Sequence, residues 1–192
     1  MSISPNRIVY IPGNGGSSTH RKWFGELAPQ FRDLGLKVVQ RKFPDPVLAR
    51  AQYWIPFLRD ELKVDERTVL VGHSSGAVCA LRYAEQYPIA GSVVVAPAVT
   101  DLGIEEEKLS GYFDSPWQWD RIRANQHFVG IFASCDDPWI PIEEAQAVRD
   151  GLMTAEGEAL IDYHEYKKKG HFRTNSFPAL YKYLKRRMMR ML

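Results

Sequence analysis

Apolar residues in this chain come in short unbroken runs, separated by longer stretches of mixed polarity. Arg7–Pro12 (RIVYIP), Thr68–Val71 (TVLV), Ser92–Ala96 (SVVVA) and His127–Ala133 (HFVGIFA) are too short for stable helices and rich in β-branched and aromatic residues. Runs of this kind predict strands buried on both faces. Lys37–Lys42 and Leu160–Tyr166 complete a set of six expected strands. Between the strands, helical spacing is read over Thr19–Leu34, Ala49–Leu62, Ser75–Gln86, Ile142–Met153 and Phe177–Met189. Pro29 is expected to break the first of these helices, and Pro56 to be tolerated in the second or to kink it.

Alternation of strand and helix predicts the α/β class. We expect one domain spanning 1–192, with a six-stranded, mainly parallel sheet covered by helices on both faces and a small cap segment at about 101–125. Such sheets bind ligands beyond the carboxyl ends of their strands, so the residues that follow each strand are the first candidates for chemistry.

After the third strand stands Gly72-His73-Ser74-Ser75-Gly76, which fits G-x-S-x-G with Ser74 at the centre. A strand that turns at once into a helix strains the central residue and exposes its side chain, while the flanking glycines avoid Cβ clashes. Centring the motif on Ser75 loses both glycines, so Ser74 is the candidate nucleophile. Ser75 would open the helix and offer its backbone N–H to an oxyanion. Pro12-Gly13-Asn14-Gly15-Gly16, after the first strand, has neither phosphate-loop nor dinucleotide spacing. It is expected to supply the second oxyanion donor, from the backbone N–H of Asn14 or Gly15.

A serine needs a base, and the base needs an orienting group. His171 stands in the loop between the last strand and the last helix, where a base carried over a parallel sheet is expected. His73 should diverge from Ser74, His127 and His164 read as structural, and His20 is a candidate pocket residue. For the acid, Asp136 and Asp137 follow the fifth strand, and position alone does not choose between them. Asp101 and Asp162 are weaker rivals. The order Ser, Asp, His along the chain is that of the α/β hydrolases.

Composition narrows the classes further. The 192 residues are 45% hydrophobic and 25% charged, with a net charge of +2, which argues neither for nucleic acid nor for a membrane surface. No run approaches the ~18 apolar residues of a membrane span. Two cysteines, Cys79 and Cys135, make no disulfide framework, so a reducing, cytoplasmic location is expected. No metal or cofactor is expected. The main rival is a scaffold of the same fold that binds proteins without useful turnover. A flavodoxin-like nucleotide binder would leave the serine turn unexplained.

The motifs PGNGG, FPDP, GHSSGA, SGYF, PWQW, DDPWIP and GHF, in this order, resemble the retinoblastoma-binding protein 9 family of serine hydrolases, over roughly residues 7–185. The resemblance implies a minimal α/β-hydrolase fold and hydrolysis of small ester or amide substrates. It implies Ser74 as nucleophile, Asp137 (the aspartate directly before the proline) as acid, and His171 as base. The family's vertebrate member engages the retinoblastoma protein through a Leu-x-Cys-x-Glu segment. The matching Leu62-Lys63-Val64-Asp65-Glu66 has Val64 in place of the cysteine, so that partner is not carried over. Aromatic residues of the cap and of the acid loop, Trp117, Trp119 and Trp139, are candidate pocket walls for a compact acyl or aminoacyl group. Glu105-Glu106-Glu107 reads as a solvated helix face.

Overall fold

The structure is a computed structural model and describes residues 4–153 and 161–191. Six parallel strands pair in the order β2-β1-β3-β4-β5-β6: β1 Arg7–Ile11, β2 Lys37–Val39, β3 Thr68–His73, β4 Gly91–Val95, β5 Val129–Ser134 and β6 Ile161–Tyr166. The register brings Ile8 beside Val69, Val71 beside Val93 and Val94 beside Ile131. β3, β4 and β5 are buried almost end to end, as their unbroken apolar sequences require. Leu160, expected to open β6, lies outside the described residues.

The helices are α1 Lys22–Arg32, α2 Ala51–Pro56, α3 Ser75–Ala84, α4 Glu105–Lys108, α5 Trp119–Ala124, α6 Ile142–Leu152 and α7 Pro178–Arg190. Right-handed crossovers put α1 on one face of the sheet and α2, α3, α5 and α6 on the other. The last helix returns to the face of α1, where Phe31 packs on Tyr181 at 5.2 Å and Trp23 on Phe177 at 5.7 Å.

Two expected elements differ, at Pro29 and in the cap segment, and the helix at Pro56 continues in altered form. Pro29 does not break α1. A proline inside a helix costs about 3 kcal/mol, whereas each large apolar side chain buried returns about 1.5–3 kcal/mol. Trp23, Phe24, Leu27 and Phe31 of α1 are all buried, so packing prevails. Pro56 deprives Gln52 of a hydrogen bond, and the helix passes into a wider turn in which Leu62 N–H donates to Phe57 O at 2.9 Å. The segment expected as a cap divides in two. α4 carries Glu106 and Glu107, which line a cavity, whereas α5 joins the helical layer beside α3 and α6 with Ile122 buried.

Candidate active site

β3 ends at His73 and α3 begins at Ser75, leaving Ser74 at the turn with φ 55° and ψ −124°. A positive φ at a residue with a Cβ is strained. It is held by Ser74 N–H donating to Val95 O at 2.9 Å and by Ser74 O accepting from Ala77 N–H at 2.8 Å. The flanking glycines are sterically required. A Cβ on Gly72 would lie 2.1 Å from Gly76 O, and one on Gly76 would lie 2.3 Å from Pro12 O. The turn therefore rests backbone against backbone on the glycine loop after β1.

His171 Nδ1–H donates to Asp137 Oδ2 at 2.7 Å, and both side chains are buried. The other oxygen, Asp137 Oδ1, accepts Trp139 N–H at 2.9 Å and Ile140 N–H at 3.1 Å. Burial alone would raise the Asp137 pKa, but these donors outweigh it and hold the carboxyl below its usual range. Asp136 turns the other way. Its Oδ1 accepts the Ser134 hydroxyl at 2.7 Å, Gly170 N–H at 2.8 Å and Lys169 N–H at 3.0 Å. One aspartate thus holds the His171 ring and its neighbour holds the loop that carries it. Ser74 and His171 line one cavity of about 370 Å³, with Asn14, Gly15, Ser75 and Trp139 also in its wall. Among the described residues Ser74 Oγ makes no hydrogen bond. Such contacts often tighten only when substrate is bound.

The profile of the serine hydrolase family matches residues 8–186. Serine hydrolase RBBP9 of Rattus norvegicus is 39% identical over 185 residues, covering 95% of this chain and 95% of the relative. The chain belongs to the serine hydrolase family. Its fold is also that of the ydeN gene product of B. subtilis, with a TM-score of 0.83 at 21% identity over 96% of this chain and 99% of that one. Mouse alpha/beta hydrolase domain-containing protein 10 gives a TM-score of 0.69 at 16% identity, over 97% of this chain and 90% of that one. The architecture is the minimal α/β-hydrolase fold.

In this serine hydrolase the glycine loop is tied down by the loop that follows β2. Gly15 N–H donates to Val47 O at 3.0 Å and Gly16 N–H to Pro46 O at 2.8 Å. Gly15 is therefore committed elsewhere and is not a free oxyanion donor, contrary to one of the two expectations. The backbone N–H groups of Asn14 and Ser75 have no acceptor among the described residues. The Asn14 side chain donates from Nδ2 to Glu107 Oε1 at 2.7 Å. Glu106 and Glu107 both line the cavity, so the acidic run is not simply a solvated face. Burial raises the Glu107 pKa against the bond from Asn14.

The remaining candidates are placed elsewhere. Trp139 lines the cavity and packs edge-on to His171 at 4.8 Å. Trp117 and Trp119 do not line it. They stack on each other at 5.1 Å, Trp117 Nε1–H donates to Val99 O at 2.9 Å, and the Arg82 guanidinium covers Trp117 at 3.8 Å. Arg82 explains this placement, since it also donates to Tyr112 O at 2.7 Å and Ser115 O at 2.7 Å and pairs with buried Glu85. His20 is exposed in the turn before α1 and is not part of the cavity wall. His127 is exposed as well, whereas His164 stacks on Phe132 at 4.5 Å. Asp101 caps a turn at Gly103 N–H, and Asp162 pairs with Arg187. Leu62 and Val64 are buried, so the stretch matching the partner-binding segment is not presented as a free peptide. Among the described residues no helix is long and apolar enough to cross a membrane.

Proposed function

We propose that the chain hydrolyses small esters or amides through an acyl-enzyme formed on Ser74. His171 removes the hydroxyl proton of Ser74 as its oxygen attacks the substrate carbonyl, then returns that proton to the leaving group. Water repeats the sequence against the acyl-enzyme and frees the acid. Asp137 fixes the His171 tautomer that leaves Nε2 free to accept. The oxyanion takes the N–H groups of Asn14 and Ser75, and one such donor contributes about 2.7–4 kcal/mol in the transition state. The observation that carries this reading is the 2.7 Å bond from His171 to Asp137 beside a strained serine in the wall of the same cavity.

A cavity of about 370 Å³ with Leu48, Val78, Leu102 and Ile104 in its wall suits a compact apolar acyl group. The carboxylates of Glu106 and Glu107 in that wall favour an acyl group bearing an amine. Ser74→Ala is expected to abolish labelling by a fluorophosphonate probe, while Ser75→Ala keeps it; full labelling of Ser74→Ala would sink the assignment. A scaffold without turnover predicts an unlabelled wild type. Amino-acid arylamides, their N-acetylated forms and short-chain esters, compared by kcat/KM, then define the acyl preference.

A further inference from the structure

Four successive residues around the proposed base have a backbone group held by a side chain from elsewhere. Lys169 N–H donates to Ser134 Oγ at 2.8 Å, and Gly170 N–H to Asp136 Oδ1 at 2.8 Å. His171 O accepts from His73 Nε2–H at 2.9 Å, and Phe172 O accepts from Trp23 Nε1–H at 3.0 Å. Gly170 and Phe172 both have φ of 51°. For Phe172 that conformation is strained, so the segment keeps its shape only because these contacts impose it.

His73 differs from the other three anchors. It is the last residue of β3 and directly precedes Ser74, and its place is set by pairing with Val95 of β4. Its ring stands edge-on to that of His171 at 4.7 Å and to that of Trp23 at 6.2 Å. A single side chain thus joins the turn that carries the serine to the loop that carries the histidine, across 98 positions of sequence. It does so from behind the reacting groups. His73 lines a separate groove with Arg21, Trp23 and Phe172 and takes no part in the wall of the cavity that holds Ser74.

We infer that His73 is a positioning residue whose hydrogen bond to the His171 carbonyl sets the separation of the His171 ring from the Ser74 oxygen. The inference rests on the proposed serine mechanism. Loss of the bond frees His171 O and lets the strained segment relax, carrying the imidazole away from Ser74. Substrate binding is untouched, because the bond lies outside the cavity. The consequence is a defect in kcat with little change in KM.

Two near-isosteric substitutions isolate the bond. His73→Gln keeps an N–H donor close to the position of Nε2, and His73→Met keeps the bulk without the donor. On an arylamide whose acylation limits turnover, H73M is expected to lower kcat by ~10–100-fold, the scale of a small misplacement of catalytic groups. KM should stay within about twofold of wild type, since it then reports binding. H73Q should restore most of the lost rate. A folded H73M with wild-type kcat overturns the inference. So does a loss seen in KM alone, or an H73Q as slow as H73M. Should H73M fail to fold, H73Q decides alone: a rate close to wild type supports the bond, and a fall of tenfold or more overturns it. Ser74→Ala, assayed alongside, tests the underlying mechanism separately. Turnover surviving in that variant removes the mechanism and this inference with it, whereas the outcomes for His73 leave the mechanism standing.

Discussion

Asp136 and Asp137 are neighbours with different tasks, and each should fail in its own way. Asp137→Asn is expected to lower kcat by ~10⁴-fold, because the imidazole loses the acceptor that fixes its tautomer. Asp136→Asn, which weakens the acceptor for Gly170 N–H without touching the ring, should cost roughly 10–100-fold through misplacement. Steady-state kinetics on folded variants decide, and the reverse order would refute the assignment. The acid range of stability carries a second expectation. Both carboxyls are held below their ordinary range: Asp137 against its burial by bonds from His171 and Trp139, and Asp136 by the Ser134 hydroxyl and Gly170 N–H. Their contribution is present above the unfolded value near ~3.9 and is lost as pH falls through their folded values. His73 is held down to about 3, chiefly by burial and then by the nearby His171. Below the unfolded histidine value of ~6.5, the unfolded chain therefore binds a proton that the folded chain refuses. Stability should fall as pH drops from about 6.5, and His73→Gln should flatten that fall down to about pH 4, where the carboxyls take over. Urea denaturation at stepped pH tests this, and identical curves for variant and wild type would contradict it.

At the scale of elements, what was legible in the sequence was whatever local chemistry dictates. The strand-turn-helix around Ser74 follows from two glycines at fixed spacing, and the buried strands follow from unbroken apolar runs. Position alone left Asp136 and Asp137 open, because both stand in one loop and only the distant segment 169–171 distinguishes them. The tryptophans of PWQW were misplaced for the same reason. Their partner is Arg82, a charged residue inside a wholly buried helix, and nothing near positions 117–119 announces it. Arg82 gathers Tyr112 O, Ser115 O and the Glu85 carboxylate, so it organises the approach to α5. Arg82→Leu leaves Glu85 charged and buried, which costs about 3–5 kcal/mol. For a chain of this size that is a fall of roughly 6–20 °C in Tm by thermal denaturation. An unchanged Tm would show that the pair does not organise this region.

For the whole molecule, the sheet and its two helical layers form a platform, and the cavity opens where the connections after β1, β2, β3, β4, β5 and β6 meet at the carboxyl ends of the strands. Trp139 belongs to the cavity and is 47% exposed, whereas Trp117 belongs to the platform. Trp139→Ala should raise KM several-fold with little change in Tm. Trp117→Ala should leave KM alone and cost about 2–4 kcal/mol, somewhat less than a fully buried tryptophan. Swapped effects, read by kinetics and calorimetry, would reverse the division. The glycine contacts at the turn that carries Ser74 bear on how such an enzyme can diversify. Gly76 meets carbonyl oxygens of Ile11 and Pro12, so at this glycine backbone meets backbone and a side chain has no room. Val47, Leu48, Leu102 and Ile104 line the cavity and can be exchanged without touching that contact. Under the proposed mechanism, substitutions at those four positions would change the acyl group accepted while Ser74 and His171 keep their spacing.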